Sequence, residues 1–197
     1  GVNTMANQSS TGFGLRSIRK IGQNDDNEGL SEYNIDANAT AIYHQDMVKS
    51  ANTGTIVVAA ATDTAIGTLN GVFYTDATTS KPTFQNYLQG SNAATDIVGF
   101  IHDDPYQMFE IRSNNTGASD ATDVFNNADI SYSAGVTPNW VSRTTLDDST
   151  LTGGGVGSAQ LRVIGLSRDP SNNDIASANV VWRVQINEHF LKATASI

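Results

Sequence analysis

The chain has 197 residues and no cysteine, which excludes disulfide frameworks, thiolate metal sites and cysteine nucleophiles, and a domain of this length buries a core without covalent staples. Twenty acidic residues against eleven basic ones give a formal net charge of -9, which argues against nucleic acid as a partner because phosphate binding needs a basic surface. Only 39% of residues are hydrophobic and 16% charged, the polar remainder being rich in Thr, Ser, Asn and Gly, and no run approaches the roughly 18 apolar residues of a membrane helix.

Residues 1–22 carry Gly, Ser, Asn and Gln with scattered Phe13, Leu15, Ile18 and Ile21, too little apolar surface to fold alone. The pattern predicts an extended N-terminal arm over 1–22, made basic by Arg16, Arg19 and Lys20, ahead of an acidic β-rich body over 23–197. On this reading a neighbouring chain orders the arm, and removing it leaves the body folded.

From Ser31 the pattern becomes strand-like. Tyr33 and Ile35 alternate with Glu32, Asn34 and Asp36, and Met47-Val48 leads into the turn signal Asn52-Thr53-Gly54 and a β-branched run from Thr55 to Ala60. Ala65 to Thr75 predicts a strand with Leu69 and Phe73 on one face and Ile66, Val72 and Tyr74 on the other. Gly67 and Gly71 interrupt it and point to a bulge or a close backbone approach.

Ile97 to Ile101 and then Gln107 to Arg112, separated by Asp103-Asp104-Pro105, read as a β-hairpin or a β-arch. Asp120 to Asn127 is the best helix candidate, one or two turns long with Asp120 as its cap. Ala159 to Arg168 predicts a strand. The cleanest alternation comes last, with Val180, Trp182, Val184 and Ile186 facing a core and Val181, Arg183, Gln185 and Asn187 facing away. The fold class expected is all-β, an antiparallel β-barrel or sandwich (β-tulip-like) with at most one or two short helices.

Motifs for chemistry are sparse. The acidic run Asn24-Asp25-Asp26-Asn27-Glu28-Gly29 fails the calcium-loop pattern, because a frame starting at Asn24 puts Ile35 where a bidentate acid belongs. His44, His102 and His189 lack metalloprotease spacing, and only His102, beside Asp103 and Asp104, has a local partner for base catalysis. Gly153 to Gly157 lacks both the final glycine of a dinucleotide fingerprint and the lysine of a P-loop. Phe73, Tyr74, Phe84, Tyr87 and Tyr106 suit strand-face packing, a protein contact or a sugar platform. The expectation is therefore a protein that is not an enzyme, with no catalytic residues, cofactor or metal.

The succession Glu32-Tyr33-Asn34-Ile35, Gln45-Asp46-Met47-Val48-Lys49, Ile66 to Tyr74 (IGTLNGVFY), Asp96 to Pro105 (DIVGFIHDDP), Leu161 to Leu166 (LRVIGL) and Val184 to His189 (VQINEH) resembles virion structural proteins of tailed marine bacteriophages. The resemblance spans residues 15 to 191 and points to a capsid decoration, or cement, protein. It implies a β-rich protein on the capsid exterior, made in the host bacterial cytoplasm. It also implies a homo-oligomer, trimer or dimer, that stabilises contacts between subunits of the major capsid protein, with no nucleic acid or membrane as partner. The arm residues Phe13, Leu15, Arg16, Ile18, Arg19 and Lys20 are then the expected capsid contacts. The alternative is a phage tail or fibre component, or a carbohydrate-binding β-sandwich module.

Overall fold

Period-two alternation writes most of the strands, and two sheets bury the apolar faces. The computed structural model describes residues 7, 11–22, 29–115, 119–151 and 159–192. One sheet has five strands in the order β1 (Arg16–Lys20), β8 (Gln107–Arg112), β13 (Val181–Ile186), β12 (Leu161–Leu166) and β9 (Asn127–Ala128). The other runs β2 (Ser31–Asn34), β7 (Val98–His102), β5 (Gly67–Thr75), β3 (Met47–Ser50) and β4 (Ile56–Val58), with β6 (Pro82–Gln85) paired to the far half of β5. β10 (Ile130–Ser131) and β11 (Thr145–Leu146) form a small ribbon. Every strand pair is antiparallel, and the five-stranded sheet ends in two edges, so the fold belongs to the all-β sandwich class and is not a closed barrel.

The two apolar clusters follow the two sheets. Trp182, Val184 and Ile186 from β13 pack with Phe109, Ile111, Leu161, Val163 and Leu146, as the alternation in the last strand requires. Ile35, Ile42, Val48, Leu69, Val72, Leu88, Ile97 and Ile101 form the second cluster. Met47, Ala59 and Ala65, from the strands of the six-stranded sheet or their ends, join the Trp182 cluster and tie the two halves together.

β5 departs from simple alternation. Between Leu69 and Gly71 its register with β7 shifts by one residue, so Leu69 turns to the same buried side as Val72 and Tyr74, and Phe73 is left facing outward. The expected grouping of Leu69 with Phe73 is thus corrected by the bulge that Gly71 signals. Gly67 meets the other condition: a Cβ there would stand 2.1 Å from the carbonyl oxygen of His102. The segment between β7 and β8 is an arch and not a hairpin, because it carries the chain from one sheet to the other. The helix expected at Asp120 is a single 3-10 turn, Ala121–Asp123, held by a reciprocal capping box between Asp120 and Asp123.

The N-terminal segment is the main correction. Residues 16–20 are the edge strand β1, paired to β8, and Leu15 is fully buried in the Trp182 cluster. Gly14, at φ +73°, threads beside Gln45: a Cβ there would lie 2.3 Å from the Gln45 carbonyl oxygen, and its own N–H donates to the Thr144 carbonyl at 3.0 Å. Residues 11–22 therefore belong to the body of this same chain. Residues 1–6 and 8–10 of the expected arm, and 152–158 with the Gly-rich loop, lie outside the described residues.

Two outcomes follow from this packing. Leu15→Ala is expected to lose about 2 to 5 kcal/mol of unfolding free energy, and Trp182→Ala about 3 to 5 kcal/mol, both read by urea titration. Deletion of residues 1–22 should lower the unfolding midpoint at least as much as Leu15→Ala; an unchanged midpoint would show that β1 is dispensable.

Candidate binding surfaces

In the six-stranded sheet, cross-strand partners share a face, so the register fixes which side chains meet outside. Phe73 pairs with Phe84 on one side and Val98 on the other, and Gly71 pairs with Phe100, whose far neighbour is Glu32. The result is an aromatic stripe across β6, β5 and β7. The Phe73 and Phe84 ring centroids are 4.8 Å apart at 48°, and Phe84 and Phe100 are stacked at 6.0 Å and 14°. Phe84 is 72% exposed, while Glu32 and Asn34 border the stripe on the β2 edge. Phe73 and Phe100 are half-buried beside the exposed Phe84, and such rings offer large apolar area at small conformational cost.

The other aromatic residues go elsewhere. Tyr74 is buried, and Tyr106 is 63% exposed beside Ile21, whose N–H donates to the Tyr106 carbonyl at 2.9 Å. Tyr87 lies flat on Trp140 at 4.1 Å and 3°, with Tyr43 stacked on the same indole at 6.2 Å. The five aromatics of the sequence reading thus separate into a stripe, a core residue, a stack and an isolated ring. Trp140 and Tyr43 were not legible as functional residues, because their meeting depends on residues 140–142 docking along 43–45: His44 donates its N–H to the Trp140 carbonyl, and Ser142 donates to that of His44.

Beneath this stack lies a buried carboxyl group. Asp46 is fully buried, its Oδ2 accepting the Tyr43 N–H at 2.8 Å. Burial pushes its carboxyl up to about 6 against the opposing pull of hydrogen bonds from Ser142 and Tyr43. Burial, with the Asp46 charge next, raises the Tyr132 hydroxyl to about 12. Asp148 is buried too, accepts a hydrogen bond from Ser113, and is raised chiefly by burial, with the charges of Asp123 and Asp147 adding to it.

His44 and His102 are half-buried and His189 is buried. Around His102 both carboxylates are engaged elsewhere: Asp103 accepts from the Tyr33 hydroxyl at 2.7 Å, and Asp104 accepts the Tyr106 N–H at 2.7 Å and pairs with Lys20 at 2.9 Å. Burial and then the nearby His44 lower the His102 imidazole. His44 donates Nδ1–H to the Asn70 carbonyl at 3.0 Å. His189 is buried, accepts the Leu191 N–H on Nδ1 at 3.1 Å, and is pushed down to about 4, mainly by burial. Among the described residues, no group of three or more His, Asp or Glu side chains is arranged to hold a metal ion. The acidic run at residues 24–28 lies outside the described residues.

The six arm residues named as partner contacts differ in burial and bonding. Leu15 is core, and Phe13 is half-buried with the Arg16 guanidinium 5.1 Å over its ring. Arg16 also pairs with Glu110, and Lys20 is tied to Asp104. Ile18 is the extra, half-buried residue where the register of β1 slips. Arg19 is the other exposed member of the set besides Arg16.

Because the Asp46 carboxyl is held above its ordinary range near 4, its favourable contribution to folding is complete below that range and is lost as pH rises through about 6. Asp46→Asn cannot ionise, so its stability relative to wild type should rise by about 2 kcal/mol between pH 4 and pH 7.5. Paired denaturant titrations at the two pH values check this, and parallel curves would show that Asp46 is ionised at an ordinary pH. Scans of this chain against protein-family models, against curated proteins and against solved structures each return no match.

Proposed function

We propose that this chain is a structural virion protein that seats on the outer surface of a phage capsid and strengthens contacts between subunits of the major capsid protein. The observation that carries the reading is the aromatic stripe Phe84, Phe73 and Phe100, laid on the outer face of a sheet whose inner face is filled by its own core. Buried aromatic anchors in a polar surround are the residues that dominate protein contacts. The resemblance to phage virion proteins supplies the partner. Asp46 accepts the Tyr43 N–H, His44 donates to the Asn70 carbonyl and His189 accepts the Leu191 N–H, structural hydrogen bonds that suit a protein working through its surface.

A carbohydrate-binding module is the second reading, favoured by the Tyr43, Trp140 and Tyr87 stack. It is the weaker one, because Tyr87 covers a face of the indole that a sugar ring would need.

Phe84→Ser removes the most exposed ring of the stripe, and at 72% exposure it should leave the unfolding midpoint unchanged. Its occupancy on purified particles, measured by quantitative mass spectrometry against the major capsid protein, should fall at least roughly tenfold, as expected for a hot-spot anchor. Wild-type occupancy for this variant, or a wild-type copy number of only a few per particle, would overturn the capsid-surface reading.

A further inference from the structure

The outer face of the five-stranded sheet carries a groove of about 680 Å³, lined by residues of the β7–β8 arch and of the turn that follows β13. Arg162 and Gln185 belong to its lining, directly opposed on β12 and β13 and therefore on one face of the sheet. Gln185 fastens this face to the arch, its Nε2 donating to the Pro105 carbonyl at 2.8 Å. Ile21 and Tyr106, joined by the Ile21 N–H donating to the Tyr106 carbonyl at 2.9 Å, line it together with Leu191 and Lys192. Ligand sites commonly span about 300 to 1,000 Å³, so the groove is large enough to hold one.

Both cations of the groove are held by neutral oxygens. Arg162 donates from Nε to Asn127 Oδ1 at 3.2 Å and from Nη2 to Asn187 Oδ1 at 2.7 Å, and Lys192 donates from Nζ to the Ile186 carbonyl at 2.6 Å. Such bonds fix the two groups without cancelling their charge, and among the described residues they leave the Arg162 Nη1 without a partner. The two charges bear on each other: burial, and then Arg162, lower the Lys192 ammonium against the pull of Asp104. Asp104 is itself engaged, paired with Lys20 at 2.9 Å and accepting the Tyr106 N–H at 2.7 Å. Neighbouring cations with no carboxylate between them work against folding, a local conflict of the kind that marks a binding site.

The rest of the lining is apolar. Tyr106 is 63% exposed, Leu191 53% and Ile21 44%, so three large apolar side chains stand open to solvent beside the two cations. Aliphatic side chains give nothing to a free inorganic anion or to the hydroxyl groups of a sugar. A nucleic acid would find two cations here but also the repulsion of a chain whose net charge is -9. A peptide that carries a carboxylate between apolar side chains matches both halves of the lining.

We infer that this groove docks a short linear segment of a different protein, an acidic side chain flanked by apolar ones, with the carboxylate on Arg162 and Lys192 and the apolar groups on Tyr106, Leu191 and Ile21. Charge complementarity selects this occupant. The guanidinium presents unpartnered N–H donors to a carboxylate, and bonds of that kind are shorter and stronger than those between neutral groups. The exposed ring and aliphatic side chains exclude water from the contact, which strengthens it further. The groove lies on the other sheet from the aromatic stripe, so the two surfaces take their partners independently.

Fluorescence anisotropy of the full chain tests this with a fluorescein-labelled peptide in which a glutamate sits between two leucines, flanked by serine and glycine. The peptide should bind, and its counterpart with glutamine for glutamate should bind at least roughly tenfold more weakly at about 150 mM salt. Lys192→Gln and Arg162→Gln should each weaken the glutamate peptide at least roughly tenfold, and Tyr106→Ser at least roughly fivefold. Circular dichroism melts establish that the variants are folded, and Tyr106→Ser, at an exposed ring, keeps the test open if Arg162→Gln disturbs the sheet. Absence of binding up to about 1 mM peptide, or equal binding of the glutamine peptide, overturns the assignment. So does displacement by acetate as effective as that by unlabelled peptide, which would make this a site for an adventitious ion only. Self-association in sedimentation velocity that Lys192→Gln abolishes would give the groove to a second copy and overturn it as well. Phe84→Ser should bind the peptide as wild type does, so failure here leaves the capsid-surface reading standing.

Discussion

A seam of main-chain hydrogen bonds around Gln45 joins the two sheets. Gln45, in the left-handed conformation at φ 68°, accepts the Leu15 N–H at 3.0 Å from the start of the five-stranded sheet and donates its own N–H to the Leu69 carbonyl at 2.9 Å in the six-stranded sheet. The neighbouring bonds reinforce this seam: Gly14 to Thr144, Ser142 to His44, Ala65 to Glu188 and Phe190 back to Ala65. A left-handed backbone at a residue other than glycine costs free energy, and the surrounding bonds and the burial of Leu15 offset that cost. Because the seam is made by main-chain groups and small residues, the outer faces of both sheets are released from packing duty. One became aromatic and the other arginine-rich.

Where a segment obeys period two, its place in the fold is legible from its residues. Val180 to Asn187 shows this, with Trp182, Val184 and Ile186 inside and Arg183 and Gln185 outside. The glycines also carried information: Gly67 marks a close backbone approach and Gly71 a bulge. What alternation cannot report is a phase slip, and so Leu69 is assigned to the wrong face by a count that assumes none. Nor can turn chemistry tell an arch from a hairpin, because Asp103-Asp104-Pro105 suits both, and which sheet each strand joins is decided by pairing with residues far along the chain.

The N-terminal segment is misread for a related reason. Phe13, Leu15 and Ile18 offer too little apolar area for a local core, but Leu15 needs none of its own, since it completes a core built by residues far along the chain, from Met47 to Ile186. The candidate surfaces share that dependence. Phe73, Phe84 and Phe100 become one stripe only through two strand pairings, and Arg16, Arg19, Arg162 and Arg183 become one face only when four strands are in register. A chain with net charge -9 thus holds a local basic surface that its composition conceals.

On the proposed reading, these features make a scaffold suited to contact. Among the described residues, two cores gather the buried apolar side chains, and rings and guanidinium groups stand on the outer faces of the sheets. A reconstruction of the assembled particle at side-chain resolution is the most direct measurement of this account. It should show the outer face of the six-stranded sheet against the major capsid protein with Phe84 buried in the contact. Finding the chain absent from the shell, or present with Phe84 open to solvent, would contradict it.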